Sequence, residues 1–219
     1  MEAALQRGIP TAFIVGKDGT VQWIGHPMGI DEPLEKVVRD QWDVKSARSA
    51  FETAMKGEVE RMKLDAAMVK ATAEGDWEQA YGLLEKMAAL DANMAPYFRA
   101  QRFEMMLAHA APDAAYAYGR ELLAQLGDDA QTLNQIAWAV VDNEGVQKRD
   151  LDFALAAATK ANTASKGENA AVLDTLARIY WDKGDKAKAI ETQKKAVEHA
   201  PDNPMGEEIR ATLKKYEGK

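Results

Sequence analysis

Cysteine is absent from all 219 residues. That excludes disulfides, a cysteine-ligated zinc and any thiol redox centre in this chain. Histidine is scarce: three residues, His26, His109 and His199, lie far apart and no two have metal-ligand spacing. They read as surface or loop groups, and no metal or other cofactor is expected. Basic residues are outnumbered, 28 Lys and Arg against 35 Asp and Glu, for a net charge of −7 and a pI near 5.1. Nucleic acid is not an expected partner, because phosphates need a net basic face. No apolar run approaches the ~20 residues of a membrane-spanning helix. Residues Met1 to Arg7 lack the basic start and apolar stretch of a signal peptide, so no export signal is expected within this stretch. Also missing are Gly-x-Gly-x-x-Gly, a P-loop and Gly-x-Ser-x-Gly. The carboxylate pairs Asp128-Asp129 and Glu207-Glu208 fall at expected helix starts, where they complement the dipole. Lys183, Lys186, Lys188, Lys194 and Lys195 form a solvated basic end. Nothing here marks the chain as an enzyme in its own right.

Alanine is abundant, at 40 residues. It is the best helix former and lets helices approach closely, which favours a mainly α body. The pattern changes near residue 43. Before it, Thr11 to Val15 and Val21 to Ile24 are short β-prone runs joined by Gly16-Lys17-Asp18-Gly19, and Asp-Gly supports a tight antiparallel hairpin. Gly25-His26-Pro27 breaks the second strand. Asp31 is then expected to cap a helix that starts at Glu32, carries Pro33 in its first turn and buries Leu34, Val37, Val38 and Trp42.

From residue 43 to 217 the spacing is helical. Val44, Ala47, Phe51, Met55, Val59, Met62, Ala66 and Val69 step by three and four, marking one long helix or two broken near Gly57. Turn signals then recur at Gly75-Asp76, Ala111-Pro112-Asp113, Asn143-Glu144-Gly145 and Gly184-Asp185, which calls for a repeat search. From Ala170 to Pro201, Leu173, Leu176, Ala177 and Tyr180 lie on a first helix. Gly184-Asp185 turns, Ala189 and Ala196 lie on a second helix, and Pro201 ends it. This resembles the tetratricopeptide (TPR) pattern, in which two helices cross at small side chains and the Tyr fills the gap to the next repeat. Sliding the register back gives starts near residues 130, 96 and 61. Ala189 aligns with Ala154, Ala115 and Ala80; Ala177 aligns with Ala137, Phe103 and Met68; Ala196 aligns with Ala161, Leu122 and Met87. The register weakens toward the N-terminus, and an extra loop of about five residues is expected at 143–150.

The opening segment, Gly8-Ile9-Pro10-Thr11-Ala12-Phe13-Ile14-Val15, then Lys17-Asp18-Gly19 and Trp23-Ile24-Gly25-His26-Pro27, is similar to the C-terminal half of a thioredoxin-like (redoxin) domain. The resemblance implies a cis-proline loop at Ile9, Pro10 and Thr11, a hairpin and a closing helix. It also implies a bacterial, periplasmic or exported protein of cell redox homeostasis. Without cysteine the stretch cannot perform thiol–disulfide exchange, which needs a thiolate. Either a Cys-x-x-Cys half lies upstream, or the segment serves as a structural cap.

The expected fold is therefore a mainly α, TPR-like helical-hairpin solenoid with a small N-terminal α/β piece. Residues 1–42 are the partial thioredoxin-like segment, 43–60 a connecting helix and 61–219 the repeats. The expected function is a non-catalytic interaction module, with the distal part of a thiol–disulfide oxidoreductase as the alternative. First helices line the concave face of TPR stacks. The register places Tyr97, Gln101 and Glu104 there, then Asn134 and Trp138, then Asp174, Arg178 and Trp181. Aromatics, Arg and Asn suit a groove for a protein or peptide, with Asp174 expected to aim Arg178 into it. The same spacing also allows both indoles to pack between repeats. The open edge of the first strand predicts self-association.

Overall fold

Short polar side chains set where the helices begin. In this computed structural model, which describes residues 10–146 and 148–218, six helices start at an Asp or Asn whose side chain accepts a hydrogen bond from a first-turn amide. These are Asp76, Asp129, Asp150, Asn169, Asp185 and Asn203. Gly75 and Gly184 each precede such a cap in the left-handed region, at φ 70° and 87°, where a side chain would be strained. The described residues form a two-stranded sheet and ten α-helices, a mainly α fold of the TPR-like solenoid type.

The chain divides into two compact units, Met1–Ala66 and Ala67–Lys219. In the first, β1 (Ala12–Val15) pairs antiparallel with β2 (Val21–Gly25), with Ile14 opposite Trp23 and a register shift at Val15. Gly19 closes the turn at φ 77°. A 3₁₀ turn at Pro27–Gly29 leads into α1 (Asp31–Val38). Two expectations are corrected here. Asp31 lies inside α1 and caps nothing: Ile30 holds the cap position with no side-chain bond. Trp42 lies beyond the helix, because Asp40 turns the backbone left-handed at φ 54°; its Nε1 donates to the Gln22 carbonyl of β2 at 2.9 Å. Ile14 and Pro33 are buried, while Leu34 and Val38 remain exposed.

The long helix α2 (Val44–Glu74) is unbroken at Gly57. Its first half turns Phe51, Met55, Val59 and Met62 to a half-buried stripe. The expected stripe is wrong at both ends: Val44, Ala66 and Val69 are exposed, and Leu64 and Ala71 are buried instead. The residues from 67 onward answer to the packing of the second unit.

That unit continues with α3 (Trp77–Leu90), α4 (Ala95–His109), α5 (Pro112–Gln125), α6 (Ala130–Asp142), α7 (Leu151–Ala164), α8 (Ala170–Asp182), α9 (Lys186–Glu198) and α10 (Pro204–Glu217). The helices of the α4–α5, α6–α7 and α8–α9 hairpins pack together, α3 packs on α4, and the first helices α4, α6 and α8 also pack in sequence. Ala80, Ala115, Ala154 and Ala189 are all fully buried, as are Ala137, Ala161, Ala177 and Ala196. Tyr180 packs against both neighbouring core clusters. The wider interval between α6 and α7 is held by Tyr116, whose hydroxyl donates to the Lys148 carbonyl at 2.8 Å and accepts from the Asp150 amide at 2.9 Å.

A methyl-sized contact leaves no room for an isobutyl group. Ala154→Leu or Ala189→Leu is expected to cost roughly 1–3 kcal/mol by overpacking. Thermal unfolding checks it; a variant that melts with the parent would place these positions elsewhere.

Candidate functional site

The residues expected to line a groove lie on α4, α6 and α8, the first helices of successive hairpins. On α4, Tyr97 is exposed and its hydroxyl accepts from Gln101 Nε2 at 3.0 Å, one turn on. Glu104 Oε1 accepts from Gln135 Nε2 at 2.9 Å, which ties α4 to α6 across the row. Gln135 was not among the expected residues; it sits at the register position of Gln101, and that equivalence was the available signal.

On α6, Asn134 is partly buried, and its Oδ1 is inaccessible and accepts no hydrogen bond among the described residues. Leaving a buried acceptor unsatisfied costs about 1–3 kcal/mol, so such an atom calls for an explanation. Trp138, one turn on, keeps part of its surface open while the rest packs on the main core.

On α8 the expected pairing is overturned. Arg178 Nε donates to Asp182 Oδ2 at 3.0 Å, the residue one turn after it, and not to Asp174. Asp174 is engaged elsewhere, accepting from Gln193 Nε2 of α9 at 2.6 Å. Both carboxylates are four residues from the Arg; packing against α9 removes one of them from the contest. Burial pushes the Asp174 carboxyl up, against the opposing pull of Gln193 and the Arg178 charge. Trp181 stacks on Tyr216 of α10 with ring centroids 4.1 Å apart and planes 6° from parallel. The Lys186 ammonium lies 3.4 Å from the indole centroid. Burial pushes the Tyr216 hydroxyl up to about 12.

The structure thus sets Glu104 beside α6 through Gln135, and Arg178 beside Asp182. It joins Trp181 to α10. Of the residues expected to form a cis-proline loop, Ile9 lies outside the described residues, Pro10 is exposed and Thr11 is half-buried.

A second polar cluster was not foreseen. Glu85 of α3 accepts from Arg102 Nη1 of α4 and from the Tyr118 hydroxyl of α5, each at 2.9 Å. The Arg102 guanidinium stacks over the Tyr118 ring at 4.4 Å. Burial opposes ionisation of Glu85, but the Tyr118 and Arg102 bonds hold its carboxyl below the ordinary range. Burial and the Glu85 contact push the Tyr118 phenol far up. The cluster pins three helices and presents no reactive group. Among the described residues no group of His, Asp and Glu has the arrangement of a metal site, and no helix is long and apolar enough to cross a membrane.

Residues 170–203, covering α8, α9 and the turn that leads to α10, match the tetratricopeptide repeat family. Searches of curated proteins and of solved structures return no match. The matched unit is a helical hairpin of the kind found in protein–protein interaction modules, and the fold of the described residues around it is TPR-like.

Proposed function

We propose that the row on α4, α6 and α8 binds an extended or helical segment of a protein partner. Tyr97, Glu104, Asn134, Trp138, Arg178 and Trp181 contact it. The observation that carries this reading is the Asn134 amide oxygen, buried without a donor beside a Trp with open surface. Rotation of the Asn134 side chain toward the open face of Trp138 lets a peptide N–H supply the missing hydrogen bond, and the indole supplies rigid apolar area. Glu104, Asp182 and the net charge of −7 favour a partner with basic residues.

Because Trp138 and Trp181 also pack internally, alanine at either confounds folding with binding. Asn134→Ala separates them: deleting an acceptor with no donor is near neutral for stability. A partner recovered by crosslinking from native lysate, then purified and titrated, should bind this variant at least tenfold more weakly while the melting temperature holds. Unchanged affinity rejects the row as the binding site.

A second reading rests on residues 12–38, where hairpin and helix follow in the order that the thioredoxin-like resemblance implies. Under it the chain is the distal part of a thiol–disulfide oxidoreductase. In-frame sequence upstream of Met1 encoding Cys-x-x-Cys supports it; a stop codon and ribosome site there rejects it.

Both readings leave the hairpin short of partners. Phe13, Val15 and Val21 are 44%, 58% and 48% exposed, and an isolated two-stranded ribbon is marginal in water. Self-association through the β1 edge follows as an expectation. Light scattering should show mass rising with concentration, and Val15→Lys should abolish the rise, since an edge charge blocks strand pairing. A strict monomer at high concentration counts against it.

A further inference from the structure

The last hairpin is joined to α10 through one buried amide. Gln193 is fully inaccessible, at a position of α9 between α8 and α10. Its Nε2 spends both hydrogens: one on Asp174 Oδ1 of α8 at 2.6 Å, one on the Ile209 carbonyl of α10 at 3.0 Å. Its Oε1 is buried and accepts nothing among the described residues. Exchanging the amide oxygen and nitrogen makes matters worse, because both neighbours would then face an oxygen. An ionised Asp174 only accepts, so it leaves Oε1 unsatisfied whatever its rotamer. A protonated Asp174 changes the count. Its O–H can donate to the Gln193 oxygen while its other oxygen keeps the bond from Nε2. The two groups then form a closed, two-bond acid–amide pair and no buried polar atom is left over.

We infer that Asp174 keeps its proton in the folded array and that this acid–amide pair clasps α8, α9 and α10 together, so that deprotonation loosens the seat of α10. The charged and titratable surroundings bear on the balance. Arg178 on α8 favours the ionised form, while Glu208 on α10 disfavours it; α9 presents the neutral amide, and Tyr216 of α10 stays protonated. Burial is the largest influence and acts in the same direction as the hydrogen-bond count. The consequence reaches the candidate site. α10 carries Tyr216, on which the Trp181 indole stacks, so Gln193 and Asp174 are positioning residues for Trp181. A group protonated more readily in the folded state stabilises fully at low pH, and loses that contribution as pH rises through its folded-state midpoint.

The test compares the full chain with Asp174→Asn, which replaces the acid by an amide that donates at every pH. Two readouts are used. The ¹³C resonance of the Asp174 side-chain carboxyl, followed by NMR, should titrate with a midpoint above the 3.8 of a free aspartate. Thermal unfolding with Trp fluorescence should show the wild type losing melting temperature relative to Asp174→Asn as pH rises from 4 to 8. Gln193→Leu, which removes the amide, should melt lower than the wild type at acid pH. Titration at or below 3.8 overturns the inference. A constant gap between wild type and Asp174→Asn at all pH also overturns it, since it would show that the carboxyl's proton plays no part. If Gln193→Leu fails to fold, the carboxyl titration alone decides.

Discussion

Gly206→Ala is expected to unseat α10 and lower the stability of the helical array by roughly 3 kcal/mol, the upper end of overpacking costs. Gly206 is buried in the first turn of α10. A methyl built there would lie 1.8 Å from the Pro201 carbonyl oxygen, an approach that no rotamer relieves because the obstacle is backbone. The same carbonyl accepts from Arg210 Nη2 at 3.3 Å, and Asn203 Oδ1 accepts from the Gly206 amide at 3.1 Å. The turn before the helix and the helix start are thus locked against each other, and a Cβ forces them apart. Thermal unfolding followed by Trp fluorescence checks this. Trp181 loses its stacking partner when α10 leaves, so its emission should shift red before the array melts. A variant that melts with the parent and shows no shift would mean that the Pro201 turn is free to move.

The second large effect concerns Phe103 and Gly119. Phe103 is fully buried and stands where the two following repeats have Ala137 and Ala177. The space for its ring comes from Gly119 on α5: a methyl there would lie 2.6 Å from Phe103 Cε2 and 2.9 Å from Phe153 Cζ. Phe103, Tyr116 and Phe153 then meet with ring centroids 5.3 to 6.3 Å apart. Phe103→Ala should cost about 3–5 kcal/mol, the usual loss for a buried ring. Gly119→Ala would ordinarily gain up to ~1 kcal/mol in a helix interior; here the ring contacts outweigh that gain and the variant should melt lower than the parent. In the Phe103→Ala background the loss should shrink, because the nearer ring is gone and Phe153 can move into the vacated space. Chemical denaturation of the four proteins in a double-mutant cycle measures the coupling. Additive losses would show that the two residues do not share one space.

Much of this molecule is written in local chemistry. The Asp and Asn caps, the Gly75 and Gly184 turns and the alanines of each crossing depend on neighbours within one or two turns. The starts of α3, α6, α8 and α9 and the fully buried Ala80, Ala115, Ala154 and Ala189 were therefore legible in the residues themselves. The hairpin was legible for the same reason: Asp18-Gly19 fixes its turn, and two short β-prone runs flank it.

What escaped depended on which groups compete for one partner. Asp174 and Asp182 stand equally far along the helix from Arg178, and only the arrival of Gln193 from α9 decides which carboxylate the Arg receives. Trp42 looked like the next member of an apolar stripe, but Asp40 ends the helix first and the indole nitrogen finds the β2 backbone. Phe103 looked like a flaw in the repeat register, yet Gly119, sixteen residues on, makes room for it. The sequence by itself determined the elements, their order and the repeat period, because propensity, capping and periodicity act over a few residues. The tertiary structure alone decided the polar pairings and the compensated core. A hydrogen-bond acceptor or a pocket of fixed volume can be used only once, and its user is chosen by packing between helices distant in the chain.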